Sequence, residues 1–149
     1  MKTSNNRILV PSDGSKACEY AFRWACQIAK HSKSDLYSIH ISEIPLKYPL
    51  NSDYEAVYGD GEHILSRIER IASEEKCKVQ AQLLKARQAG PAIALEATNR
   101  NMNMIIIGLP YKQPNSPRNL GSTASYLLDH ANCELIFWRE PSLSDVPGS

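Results

Sequence analysis

Met104-Ile105-Ile106-Ile107, an unbroken apolar run rich in β-branched residues and closed by Gly108, reads as a buried strand. Such a strand needs cover on its faces, and the remainder of the chain supplies that cover by alternation. Further strands are read at Ile8-Leu9-Val10, at Leu36 to Ile41, at Val79 to Leu84 and at Leu135 to Trp138. Between them run helical periods. Ala17, Ala21, Trp24, Ala25 and Ile28 share one face, Ile64, Leu65, Ile68 and Ile71 another near residues 57–76, and a helix opening at Gly90-Pro91 buries Ile93 and Ala97. A last helix spans Gly121 to Ala131. Connections too long for hairpins make the sheet parallel, which gives an α/β fold: a doubly wound five-stranded sheet of order 3-2-1-4-5 with helices on both faces. Strands one and four are then neighbours at the reversal of winding, and the loops Pro11–Ser15 and Gly108–Gly121 face one crevice.

Composition narrows what that crevice serves. The 149 residues fit one domain, here 1–140, followed by a polar tail at 141–149 that is expected to be flexible. A net charge of +1 with both signs mixed provides no footprint for nucleic acid or an anionic membrane, and no apolar run approaches the ~20 residues of a membrane span. Cys18, Cys26, Cys77 and Cys133 lack C-x-x-C spacing and are expected to be reduced, as in the cytoplasm. His31, His40, His63 and His130 carry no metal-ligand spacing. P-loop, dinucleotide and nucleophile-elbow motifs are lacking, so the sequence supports no catalytic constellation.

Three motifs in order carry a resemblance. Val10-Pro11-Ser12-Asp13-Gly14-Ser15, then Asn103 to Gly108, then Gly121-Ser122 with Leu127 and His130-Ala131-Asn132-Cys133, resemble the opening, the fourth strand and the closing helix of the universal stress protein family. The likeness runs from about residue 7 to residue 139. Asn103 stands where the family usually has an acid, and Tyr111 occupies the second glycine of its G-x2-G-x9-G-[ST] loop. The resemblance implies a regulatory stress-response protein that binds ATP or a related adenine nucleotide, with or without Mg. It places Pro11 and Asp13 beside the adenosine, Ile41 at the base, and Gly108, Gly121, Ser122 and Thr123 at ribose and phosphate, with Tyr111 as the altered loop position. Helix N-terminal amides bind anions without a P-loop lysine, and Lys112 and Arg118 add charge to the same loop.

Each residue also has a plainer role. Asp13 serves equally as the N-cap of the first helix, Gly108 as a strand exit and Gly121-Ser122 as a cap. If Tyr111 holds positive φ and displaces one charge-assisted contact, the combined loss is roughly 2–4 kcal/mol of affinity. The alternative is therefore a protein-interaction module whose crevice Tyr111, Pro110, Pro114 and Pro117 close; weak ATP hydrolysis is a third reading. Tyr48, Tyr54 and Tyr58 form an aromatic, polar insertion before the second helix, open to three readings: a lid, a partner surface, or neither. The strand at 134–138, apolar on both faces yet at the sheet edge, is expected to pair with a second copy in a homodimer.

Overall fold

A computed structural model describes residues 6–111 and 121–142. The elements alternate as β1 (Arg7–Pro11), α1 (Lys16–Ser32), β2 (Asp35–Glu43), α2 (Tyr54–Tyr58), α3 (Gly61–Glu74), β3 (Gln80–Ala86), α4 (Ala89–Asn99), β4 (Met104–Leu109), α5 (Ser122–His130) and β5 (Glu134–Arg139). The strands form one sheet of order β3-β2-β1-β4-β5, every pairing parallel. The expected winding is therefore observed. Lys112, Pro114, Pro117 and Arg118, and the tail beyond Ser142, lie outside the described residues.

Side-chain alternation along the central strands builds two core layers. Ile8, Val10 and Ile106 meet Ala21, Phe22 and Ala25 of α1 and Ile68 and Ile71 of α3 on one face. Leu9, Ile39, Ile105 and Ile107 meet Ile93 and Ala97 of α4 and Leu127 of α5 on the other. The isoleucine run of β4 thus feeds both layers, which is why it tolerates no polar residue. Arg7 N–H donates to Asn103 Oδ1 at 2.8 Å, fastening the start of β1 beside β4. An amide oxygen performs that acceptor role as well as a carboxylate.

Local boundaries depart from the sequence reading in four places. The period across 57–76 is two helices, because the chain breaks at Gly59-Asp60 between α2 and α3. The third strand runs Gln80–Ala86, displaced from Val79–Leu84, since its register against β2 continues to Glu43↔Ala86. Trp24 is 56% exposed rather than buried, on the same side of α1 as Tyr20, whose ring stacks on Trp138 at 5.9 Å. The cap of α1 is Ser15, which accepts from Cys18 N–H at 3.2 Å; Asp13 is not the N-cap.

The insertion between β2 and α3 is fastened to the body. Arg87 donates to the carbonyls of Ile44, Pro45 and Tyr48 at 3.2, 2.8 and 2.8 Å. Buried Glu55 accepts from Ser42 Oγ at 2.7 Å and from Gly61 N–H at 3.0 Å. Tyr48, Tyr54 and Tyr58 pack on one another with ring centroids 4.9 to 6.3 Å apart.

Candidate functional site

The exits of β1 and β4 and the start of α5 converge on a cavity of about 210 Å³. Pro11 ends β1 in extended form, and Ser12 N–H continues the ladder to the Ile39 carbonyl at 2.9 Å. The chain then turns sharply. Asp13 Oδ1 accepts from Ser15 N–H at 2.8 Å, which places the carboxylate at the mouth and orients the residue that caps α1. Partial burial pushes the Asp13 carboxyl up, but hydrogen bonds from the Ser15 hydroxyl, the Cys18 thiol and the backbone outweigh it and leave the group below its ordinary value.

Gly108 forms part of the wall for a steric reason. A Cβ there would lie 2.2 Å from the Ala17 carbonyl oxygen and 2.8 Å from Cys18 N, so only glycine lets β4 approach the first turn of α1. Also lining the cavity, Gly121 precedes α5 at φ 86°, a conformation side chains resist, and as the N-cap it brings no capping side chain of its own. The leading N–H groups of α5 lack intrahelical acceptors by construction, and the positive end of the helix dipole lies behind them.

The cavity's lining brings together Pro11, Asp13, Ile41, Gly108, Gly121, Ser122 and Thr123. Tyr111 is not among its described lining. Its ring lies under the Arg139 guanidinium, 4.8 Å from carbon to centroid, at the end of β5. Tyr111 also has an ordinary negative φ, since the non-glycine residues with positive φ among those described are Lys33, Lys76 and Asn101. The strain expected of a side chain at the family's glycine position is therefore not incurred there, and the ring does not close the described cavity.

Sequence reasoning left out several walls. Ser12 is buried, and its carbonyl accepts from His40 Nδ1 at 2.8 Å, which makes Nδ1 the donor and fixes the orientation of the ring. His40 adjoins Ile41 on β2, so the strand exit itself was the available signal. Cys18 also lines the cavity, where burial and then the Asp13 charge push its thiol up to about 12; it is an unreactive wall rather than an activated nucleophile. The lining combines apolar Ile39, Ile41, Ile93 and Ile107 with polar Ser12, Asp13, Ser122 and Thr123. Among the described residues, no cluster of three or more His, Cys, Asp or Glu could hold a metal ion. Nor is any described helix long and apolar enough to cross a membrane.

Comparison with known proteins places this arrangement. The model of the universal stress protein family matches residues 4–139. Universal stress protein MJ0531 of Methanocaldococcus jannaschii is 23% identical over 91% of this chain and 82% of its own length. The structure of the universal stress protein from Archaeoglobus fulgidus in complex with dAMP superposes with a TM-score of 0.70 at 20% identity, covering 91% of this chain and 98% of that one. A universal stress protein family protein from Arabidopsis thaliana with AMP bound gives 0.69 at 16% identity, covering 96% and 97%. With the fold, the motif order and the extent of the match in agreement, the chain belongs to the universal stress protein family.

Proposed function

We propose that this protein is a cytoplasmic regulator of the stress response that binds an adenine nucleotide between the exits of β1 and β4 and thereby changes its fit to a protein partner. One observation carries the reading: Ile39, Ile41, Ile93 and Ile107 line the same cavity as Asp13 and the leading residues Gly121, Ser122 and Thr123 of α5. The base enters between Ile39, Ile41 and Ile93, the ribose lies by Pro11 and Asp13, and the first phosphate meets the amides of Ser122 and Thr123 beside Gly108 and Gly121. Relatives of the same fold solved with dAMP and AMP support the ligand class. At about 210 Å³ the cavity falls below the roughly 300–1,000 Å³ of ordinary ligand pockets. It suits the nucleoside part, with phosphates at the mouth.

Freshly purified protein is denatured and its supernatant analysed by chromatography and mass spectrometry for released nucleotide. Calorimetric titrations with AMP and with ATP, each with and without Mg, follow. Adenine nucleotide in the supernatant, or saturable binding that Asp13→Ala weakens about 10- to 100-fold through loss of a charge-assisted hydrogen bond, is the expected result. No release and no heat at millimolar nucleotide would replace this reading with the protein-interaction module. Tighter ATP than AMP binding assigns the triphosphate, and Mg dependence assigns the ion.

We also infer a homodimer through β5. Ile136 is 38% exposed on this edge strand, with Leu135, Phe137 and Trp138 partly buried beside it. Unpaired strand edges of this kind are covered by a second chain or are prone to aggregate.

A further inference from the structure

Two of the four cysteines stand together, away from the crevice. Cys26 sits within α1, wholly buried in the layer between α1, α3 and the sheet, whereas Cys77 follows α3 and is half-buried against the same layer. Both are thiols packed in one layer, and burial first and the neighbouring Cys77 thiol second push the Cys26 thiol far above its ordinary value. Other contacts clamp the end of α3 to α1 around the pair. Arg23 reaches Glu74 and Glu75 at 3.0 Å each, Gln27 donates to the Glu75 carboxylate, and Lys30 Nζ donates to the Glu75 carbonyl at 2.8 Å. Lys76, at φ 57°, turns the chain out of α3, and Cys77 N–H returns to the Ala72 carbonyl at 2.9 Å. The segments that carry the two sulfurs are thus fastened to each other.

Access differs between them. Cys77 lines an open groove of about 940 Å³ that a small solute can enter, while Cys26 has no exposed surface. We propose that Cys26 and Cys77 form a redox-active dithiol that a small hydroperoxide, hydrogen peroxide being the simplest, converts to an intramolecular disulfide. Cys77 as thiolate attacks one peroxide oxygen, the O–O bond breaks, and the departing hydroxide takes up a proton as water, leaving a sulfenic acid. The Cys26 sulfur then attacks the Cys77 sulfur, the S–O bond breaks, and the hydroxyl leaves with the Cys26 proton as a second water. Two thiols and one peroxide give one disulfide and two waters, with two electrons passing from sulfur to oxygen.

Cys18 and Cys133 line other cavities, apart from this pair. The test uses the whole chain. Reduced protein is exposed to a small excess of hydrogen peroxide, quenched with maleimide in denaturant, and digested for peptide mapping. The expected result is a fall in free thiols from four to two, an intact mass lower by two hydrogens, a peptide pair joining residues 26 and 77, and full reversal by dithiothreitol. Cys26→Ser is expected to stop at a Cys77 sulfenic acid that dimedone traps. Should that variant fold poorly, dimedone added to the unaltered protein during oxidation must label Cys77 alone and lower the disulfide yield. Four thiols surviving peroxide that oxidises free cysteine would overturn the proposal. So would linkage through Cys18 or Cys133, or overoxidation of Cys77 while Cys26 remains open to maleimide.

Discussion

A methyl group added at Gly108 meets the Ala17 carbonyl oxygen, and backbone on both sides leaves no flexible side chain to give way. Gly108→Ala is accordingly expected to cost about 1–3 kcal/mol or more, read as a lower urea midpoint with an unchanged slope. The spacing singled out Gly108 but read it as a strand exit or a contact to ribose and phosphate, because the close approach of α1 is a tertiary fact. Tyr111 shows the converse. A glycine position in a family motif signals freedom of φ only if the chain uses it, and the Arg139 contact draws this ring toward β5 instead. Tyr111→Ala is therefore expected to change nucleotide affinity by less than about threefold, forfeiting a cation–π contact of roughly 0.5–1 kcal/mol, as titration calorimetry would register. Asp13 has a folded-state carboxyl below its ordinary value of 3.8, so its contribution to stability is present above that value and is lost as pH falls through the lower one. Melting temperatures recorded from pH 6 down to pH 2 should show Asp13→Asn losing less than the parent protein in the acid limb.

Elements were legible where periodicity was strong. The isoleucine run of β4 and the small-residue face of α1 follow directly from burial on one side or two, so their residues could be named in advance. Ends were less legible, since they depend on hydrogen bonds that apolar spacing does not encode. The first helix illustrates this: Asp13 and Ser15 are both good caps, and only the turn geometry gives the helix cap to Ser15 while Asp13 holds the Ser15 amide. Ser15→Ala is expected to destabilise the fold by about 1 kcal/mol, measurable by chemical denaturation. Trp24 misled for a related reason. Its position borders the apolar stripe, but the buried arc of α1 runs through Ala17, Cys18, Ala21, Phe22, Ala25, Cys26 and Ala29, which leaves position 24 turned outward. His40 went unrecognised because its tie to Ser12 joins strands 28 residues apart.

At the scale of the molecule, winding order follows from the alternation of strands and helices, and the position of the crevice follows from the winding. What lay beyond sequence was the shape of that crevice, which depends on backbone meeting backbone. The edge strand β5 provides the matching test of assembly: sedimentation at tens of micromolar should give a dimer mass, and Ile136→Lys should shift it to that of a monomer. The abutment of Gly108 on Ala17 carries a further consequence. A wall made of peptide groups cannot be widened by trimming a residue, so enlarging this cavity for any bulkier occupant has to work through its isoleucine side chains, at Ile39, Ile41 or Ile93, with the Gly108 wall left as a fixed template.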